Sequence, residues 1–288
     1  MSYTNIVVGV DGSDSGEAAL RWAAGEAAAR DVELHVVHTY DWRVPGGLTP
    51  VGGSFADAVR ESAQDLVHTA VARAREAAPG VRVRGSAVLG SAASILAATA
   101  LPDTLVVLGN RGRGGFASLL LGSVSQQVAT HAAGPILVVR GRADIARRPI
   151  VVGVDGSPGS EEALGLAFDM AAVRGVALVA VYAYSLGGPG AGRTASSFDR
   201  HRADAYQVVD EQVAPWREKY PKVAAETIAV LGQPAQVLAE ASRTAQLVVV
   251  GTRGHGGVAS LLIGSVGLSL LHHADAPVLI ARDGPAAA

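Results

Sequence analysis

Two stretches of the chain hold residue types that can do chemistry. In GNRGRGGFASLLLGS, Gly109 to Ser123, glycines stand at 109, 112 and 122, and Ser123 closes the run. The spacing is Gly109, two residues, Gly112, nine residues, then Gly122-Ser123. Glycine at a strand end lets a ligand approach the backbone with no Cβ in the way. Gly122-Ser123 stands where a helix is expected to begin. Its free N–H groups and the positive end of the helix dipole then face outward, a ready site for phosphate. Ser123 either caps that helix or gives its hydroxyl to a phosphate oxygen. Leu119 to Leu121 read as a packed floor that returns the chain to Gly122. The second stretch is IVVGVDGS, Ile6 to Ser13, with Asp11 directly after an apolar run. Asp11 either caps the next helix or faces a crevice, where it bonds a ribose hydroxyl or a metal-held phosphate. Ser13 remains available as the cap, which tilts Asp11 toward a ligand.

Neither stretch is a standard nucleotide loop. No GK[ST] closes the glycine run, so it is not a Walker A loop. The short spacing of a GxGxxG fingerprint, with an acid about 20 residues on, is absent too. The bland alternative is a glycine-rich turn that binds nothing.

Both stretches occur twice. IVVGVDGS returns at Ile150 to Ser157, 144 positions on (150 − 6), and the glycine run returns as GTRGHGGVASLLIGS, Gly251 to Ser265, 142 positions on (251 − 109). Two long matches in one order at nearly equal offsets mark a tandem duplication. The expected domains are 1–143 and 144–288, with Gly141–Arg148 as the linker. Each half alternates apolar runs with helical segments. In the first these are strands at Ile6–Val10, Leu34–Tyr40, Val81–Val88, Thr104–Leu108 and Pro135–Arg140. Helices are expected through Ala18–Arg30, from about Asp57 to Ala78, from an N-cap at Ser91, and from Gly122-Ser123 to about Ala132. LVVLG and LVVVG are continuously apolar, as parallel strands covered on both faces are. The fold class is therefore α/β, one doubly wound parallel sheet per half. In such sheets ligands sit beyond the carboxyl ends of the strands, where both stretches fall.

Composition removes several classes. The net charge of −2 and the scattered basic residues argue against nucleic acid as a partner. With no cysteine, disulfides and thiolate chemistry are excluded. No apolar stretch reaches the roughly 20 residues that cross a bilayer, and the N-terminus reads as a first strand, so a cytoplasmic protein with no membrane partner is expected. His35 and His38 are three apart on a strand and point to opposite faces, so they cannot chelate together. His272 and His273 fall at a helix C-terminus, where partial positive charge suits the dipole. Trp22, Trp42 and Trp216 read as packing residues.

The G-2x-G-9x-G[ST] spacing after an apolar strand, with the early V-D-G-S, resembles the universal stress protein family over nearly all of both halves. The resemblance implies two tandem Rossmann-like domains of the adenine nucleotide alpha hydrolase type. Each would be a five-stranded parallel sheet of order 3-2-1-4-5 with helices on both faces. It also implies ATP, with Mg²⁺, as ligand. Asp11 and Asp155 would contact the ribose or the nucleotide-bound Mg²⁺, and the backbone of Thr39 and Ala183 would bond the adenine edge. Gly9 and Leu108, with Gly153 and Val250, would line the adenine–ribose pocket. Gly109, Gly112, Gly122, Ser123 and Val124 would hold phosphates, as would Gly251, Gly254, Gly264, Ser265 and Val266. The copies differ, with Arg113 replaced by His255 and Asn110 by Thr252, a reason for unequal affinities.

Hydrolysis needs a group to orient water and another to neutralise the developing γ-phosphate charge. No such pair is identifiable, nor is the SGGxDS loop of related hydrolases. The expectation is a nucleotide-gated regulator of stress or dormancy that acts by binding, with slow ATPase or nucleotidyl-transfer activity as the alternative. The apolar last strands, PILVVR and PVLIAR, would be sheet edges, and apolar edges are usually covered. Pairing of the halves through them, as an intrachain pseudo-dimer, is expected, with homodimerisation and a regulatory protein partner beyond it. The loops Asp41–Ser54 and Ser185–Ser197 lie beside the expected crevice and are expected to order on ATP binding.

Overall fold

The structure is a computed structural model that describes residues 3–41, 53–113, 120–141, 147–185, 195–252 and 263–282. The chain separates into two compact units, Tyr3–Val139 and the chain from Arg140 onward. The expected domain boundary at 143/144, Trp42, and the greater part of the linker and of both crevice loops lie outside the described residues.

In the first unit, β1 (Asn5–Gly9), α1 (Asp14–Arg30), β2 (Leu34–Tyr40), α2 (Gly53–Ala77) and β3 (Val83–Leu89) alternate. They continue into α3 (Ala92–Thr99), β4 (Thr104–Gly109), α4 (Ser123–His131) and β5 (Ile136–Val139). All strand pairs are parallel, in the order β3-β2-β1-β4-β5. Ile6 is in register with Leu34 on one side and Leu105 on the other, so β1 is central. α1 and α2 pack together, as do α3 and α4. The order turns back between β1 and β4, and both strands stop at a glycine there. Every residue of β4 is buried. Leu105 is fully buried, and its side chain contributes about 2 kcal/mol by leaving water.

The second unit repeats this order. It contains β6 (Ile150–Val154), α5 (Pro158–Arg174), β7 (Leu178–Tyr184), α6 (Ala195–Lys219) and β8 (Ala225–Leu231). After these come α7 (Pro234–Ser242), β9 (Leu247–Gly251), α8 (Ser265–His273) and β10 (Val278–Ala281). The sheet runs β10-β9-β6-β7-β8, again all parallel.

Local signals explain the boundaries of the first helix in each unit. Ser13 and Ser157 accept from the N–H groups of Gly16 and Ser160, satisfying donors that the first turn leaves open. Acids follow in the first turn, Asp14 and Glu17 in α1 and Glu161 in α5, where the dipole favours negative charge. The helices end in left-handed residues, Asp31 at φ 53° and Gly175 at φ 63°. Ser91 is the N-cap residue of α3, as expected, but its side chain makes no capping hydrogen bond. Trp22 is buried, and Trp216 stacks on Phe168 and Tyr220, as packing residues do.

Candidate functional site

The Asp-Gly-Ser turn after β1 is built from its own side chains. Gly12 sits at φ +77°, a conformation that costs any side chain with a Cβ, and this lets the chain fold back beside Asp11. Oδ1 of Asp11 accepts from the N–H of Ser13 at 3.1 Å and from its hydroxyl at 2.6 Å. The Ser13 hydroxyl oxygen in turn accepts from Gly16 N–H at 3.1 Å. Asp11 is thus not the cap but the group that aims the cap. Its second oxygen, Oδ2, accepts from Arg113 N–H at 2.8 Å, joining this turn to the loop after β4.

The motif glycines divide by what presses on them. None of Gly109, Gly112 and Gly122 has a left-handed φ. A Cβ on Gly109 would meet the Ser15 backbone at 2.6 Å, because the first turn of α1 lies against the end of β4. A Cβ on Gly112 would stand 2.6 Å from Oδ2 of Asp11. Both glycines are therefore demanded by the protein itself, which corrects the reading that a ligand's approach requires them. Gly122 differs: its nearest neighbours would be Arg111 Cα and Asn110 O, both at 3.4 Å, ordinary contacts.

Gly122 is the N-cap of α4 and has no side chain to cap with. Its own N–H is not free but donates to Asn110 O at 2.7 Å. Gln126 N–H closes the first helical bond onto Gly122 O. Three N–H groups lie between, those of Ser123, Val124 and Ser125, and no acceptor for them stands among the described residues. Ser123 is the first helical residue rather than the cap, so only its hydroxyl-donor reading survives. The leucine floor also changes: Leu121 is buried at 4 % exposure, Leu120 is exposed at 51 %, and Leu119 lies outside the described residues.

These parts face one cleft of about 500 Å³. Gly9, Asp11, Thr39, Leu108, Gly109, Gly112, Gly122, Ser123 and Val124 all line it. The volume is within the range of small-molecule sites, about 300–1,000 Å³. Gly9 lies under two leucines, where a Cβ would meet Leu108 Cδ2 at 2.8 Å and Leu96 Cδ1 at 2.9 Å. Backbone parity opens Thr39 toward the cleft. Val37 O accepts from Val10 on the β1 side, and Tyr40 O accepts from Gly90 on the β3 side. Polar groups of successive strand residues alternate sides, so those of Thr39 face the β1 side, and β1 has already ended at Gly9. At one end of the cleft is an open strand edge, at the other an uncapped helix.

A model of the universal stress protein family matches residues 2–140 and again 146–282. The chain belongs to the universal stress protein family. Universal stress protein Rv2005c of Mycobacterium tuberculosis is 37% identical over 292 residues, covering 96% of each chain. A universal stress protein of Mycolicibacterium smegmatis is 35% identical over 289 residues, again covering 96% of each. In fold, the chain is similar to a universal stress protein from Archaeoglobus fulgidus, whose crystal structure aligns over 98% of this chain and 99% of that one. The TM-score there is 0.71 at 18% identity.

The second half of this universal stress protein keeps much of the same framework. Gly156 is at φ +86°, and Asp155 Oδ1 accepts from Ser157 N–H at 3.0 Å and its hydroxyl at 2.5 Å. Gly153 lies under Leu238 and Val250, which a Cβ there would meet at 2.7 and 3.2 Å. Gly251 is pressed by the α5 backbone, since a Cβ there would stand 2.6 Å from Gly159 C. Ala183 has the parity of Thr39, since Tyr184 O accepts from Gly232. Gly264 caps α8 with its N–H on Thr252 O at 2.6 Å, and Ser265 and Val266 open the helix. Gly254 lies outside the described residues.

Sequence reasoning missed several residues of the first cleft. His38 lines it with Nδ1 2.8 Å from Val10 O; a carbonyl only accepts, so Nδ1 carries the proton. Ser125 is buried and donates to Gly109 O at 2.6 Å. Leu96, Arg111 and Arg113 also line the cleft. Two of these left a signal in the sequence, Leu96 repeated at Leu238 and Arg111 repeated at Arg253.

No group of three or more His, Cys, Asp or Glu side chains able to hold a metal occurs among the described residues. A nucleotide-borne cation asks less of the protein. Oδ2 of Asp11 receives one N–H and keeps a lone pair, which fits a single oxygen ligand to Mg²⁺. The uncapped α4 terminus fits a phosphate group.

Proposed function

We propose that the chain binds ATP with Mg²⁺ and acts as a nucleotide-gated regulator in stress or dormancy, by binding rather than catalysis. The observation that carries this reading is the uncapped start of α4. Its three N–H groups and positive dipole end stand across one cleft from the open backbone of Thr39. Phosphates would sit on Ser123, Val124 and Ser125, with the Ser123 hydroxyl as a further donor. The adenine edge would bond the Thr39 backbone, over the apolar surface of Leu96 and Leu108. Mg²⁺ would supply charge neutralisation between the phosphates, with Asp11 as the protein's oxygen ligand to it.

The same geometry favours holding over cutting. A general base for water needs a carboxylate free to take a proton. Asp11 accepts three hydrogen bonds, from Ser13 N–H, the Ser13 hydroxyl and Arg113 N–H, and the lone pair left on Oδ2 would be given to Mg²⁺ rather than to a proton. Homodimerisation and a regulatory protein partner belong to the same proposal.

The test starts with extraction and mass identification of ligand from the purified chain; intact ATP is expected, whereas ADP or AMP would favour the hydrolytic alternative. Gly122→Ala with Gly264→Ala then places methyl groups at both helix starts. Calorimetric ATP affinity is expected to fall at least about tenfold. Unchanged affinity would show that the phosphates do not sit there.

A further inference from the structure

The two copies share the strand end and the helix start that flank the glycine loop, but not the side chains that brace the strand end. In the first half Ser15, in the opening turn of α1, reaches across to the loop. Its hydroxyl donates to Asn110 Oδ1 at 2.9 Å and accepts from Arg111 N–H at 3.3 Å. From the other side, Ser125 donates to Gly109 O at 2.6 Å. Three side-chain hydrogen bonds thus fasten Gly109, Asn110 and Arg111 between α1 and α4. In the second half, Gly159 stands at the position of Ser15, Thr252 at Asn110, and Gly267 at Ser125. Glycine has no hydroxyl, so none of the three bonds can form there. The backbone bond common to both, Gly122 N–H to Asn110 O and Gly264 N–H to Thr252 O, ties the helix start to the strand end in each half.

We infer that Ser15, with Asn110 and Ser125, makes the first half the tighter of two unequal nucleotide sites. The inference rests on the reading of this cleft as an ATP site. A ligand that meets a loop already held in place spends less binding energy on ordering it. The first site fills at low ATP and stays loaded. The second, without the brace, fills and empties over a higher range, so its occupancy is the one that follows nucleotide level. Ser15 touches no ligand; it is a positioning residue.

The experiment is calorimetric titration of Mg-ATP into the nucleotide-stripped full-length chain. Two phases are expected. Ser15→Ala is expected to weaken the tight phase about fivefold, the loss of roughly one net hydrogen bond, and to leave the weak phase in place. Ser15→Thr, which keeps the hydroxyl, is expected to restore it. Without nucleotide, backbone amides of residues 108–113 should exchange faster in Ser15→Ala than in the parent, while the melting temperature changes little. Two equal sites, or a loss confined to the weaker phase, would overturn this inference and leave the ATP reading standing. No uptake of ATP by the parent chain would overturn both.

Discussion

Gly112 and Asp11 are so close that a methyl group on the glycine would lie 2.6 Å from the carboxylate oxygen that accepts Arg113 N–H. The loop after β4 and the turn after β1 are therefore one structure, joined by a charge-assisted hydrogen bond. Gly112→Ala should part them. Hydrogen bonds to charged groups contribute about 1.5–3 kcal/mol, and a loss of that order is expected in denaturant unfolding. Gly122→Ala, with nothing nearer than 3.4 Å among the described residues, should change stability by less than about 0.5 kcal/mol. Equal losses in the two variants would contradict this division of the motif.

Gly12 and Gly156 hold left-handed conformations, at φ +77° and +86°. An alanine at either position would carry that strain, about 1–2 kcal/mol. Thermal unfolding of each single variant measures it. The expected losses are similar in the two halves, because the turn is the same in both.

Ser13 and Ser91 both precede helices, but only the first caps with its side chain. Ser13→Ala should cost about 1 kcal/mol or more, since Asp11 loses a partner as well. Ser91→Ala should cost close to nothing. Chemical denaturation of the pair is an internal comparison that needs no knowledge of ligand.

His35 is held below its ordinary pKa of 6.5, chiefly by burial and then by Arg84, partly offset by Glu33. The folded state therefore prefers the neutral ring, whose Nε2 is 2.9 Å from the Ser86 hydroxyl. An unfolded chain takes up the proton first as pH falls. His35 thus stabilises the fold fully above pH 6.5, and this contribution fades as pH drops through the lower folded value. The half-exposed ring makes the effect small. Comparing urea unfolding at pH 7.5 and pH 5 in the parent and in His35→Phe should show a shallower fall in the variant.

Duplication made the fold readable. A strand at Leu34–Tyr40 follows directly from its β-branched run, and its partner in the second half follows from the offset. What stayed hidden depends on neighbours distant along the chain. Nothing local to Gly109 reveals that the α1 backbone presses on it, so its purpose was misread as room for a ligand. The capping alternative for Ser123 fails by one position, because Gly122 takes the cap and spends its own N–H on Asn110. Leu120 faces outward while its neighbour Leu121 is buried, a difference that the run of leucines does not reveal. His38 and Ser125 enter the cleft by way of single hydrogen bonds to carbonyls, and such bonds leave no trace in spacing.

The unequal duties of the three motif glycines bear on how such chains are sorted. Gly109 and Gly112 answer to the architecture, and any relative that folds this way has reason to keep them whether or not it holds a nucleotide. The residue at Gly122, alone of the three, meets no close neighbour among the described residues. A survey that weighs all three letters equally would enrol folded non-binders beside binders. On the proposed phosphate site, the third is the letter to weight.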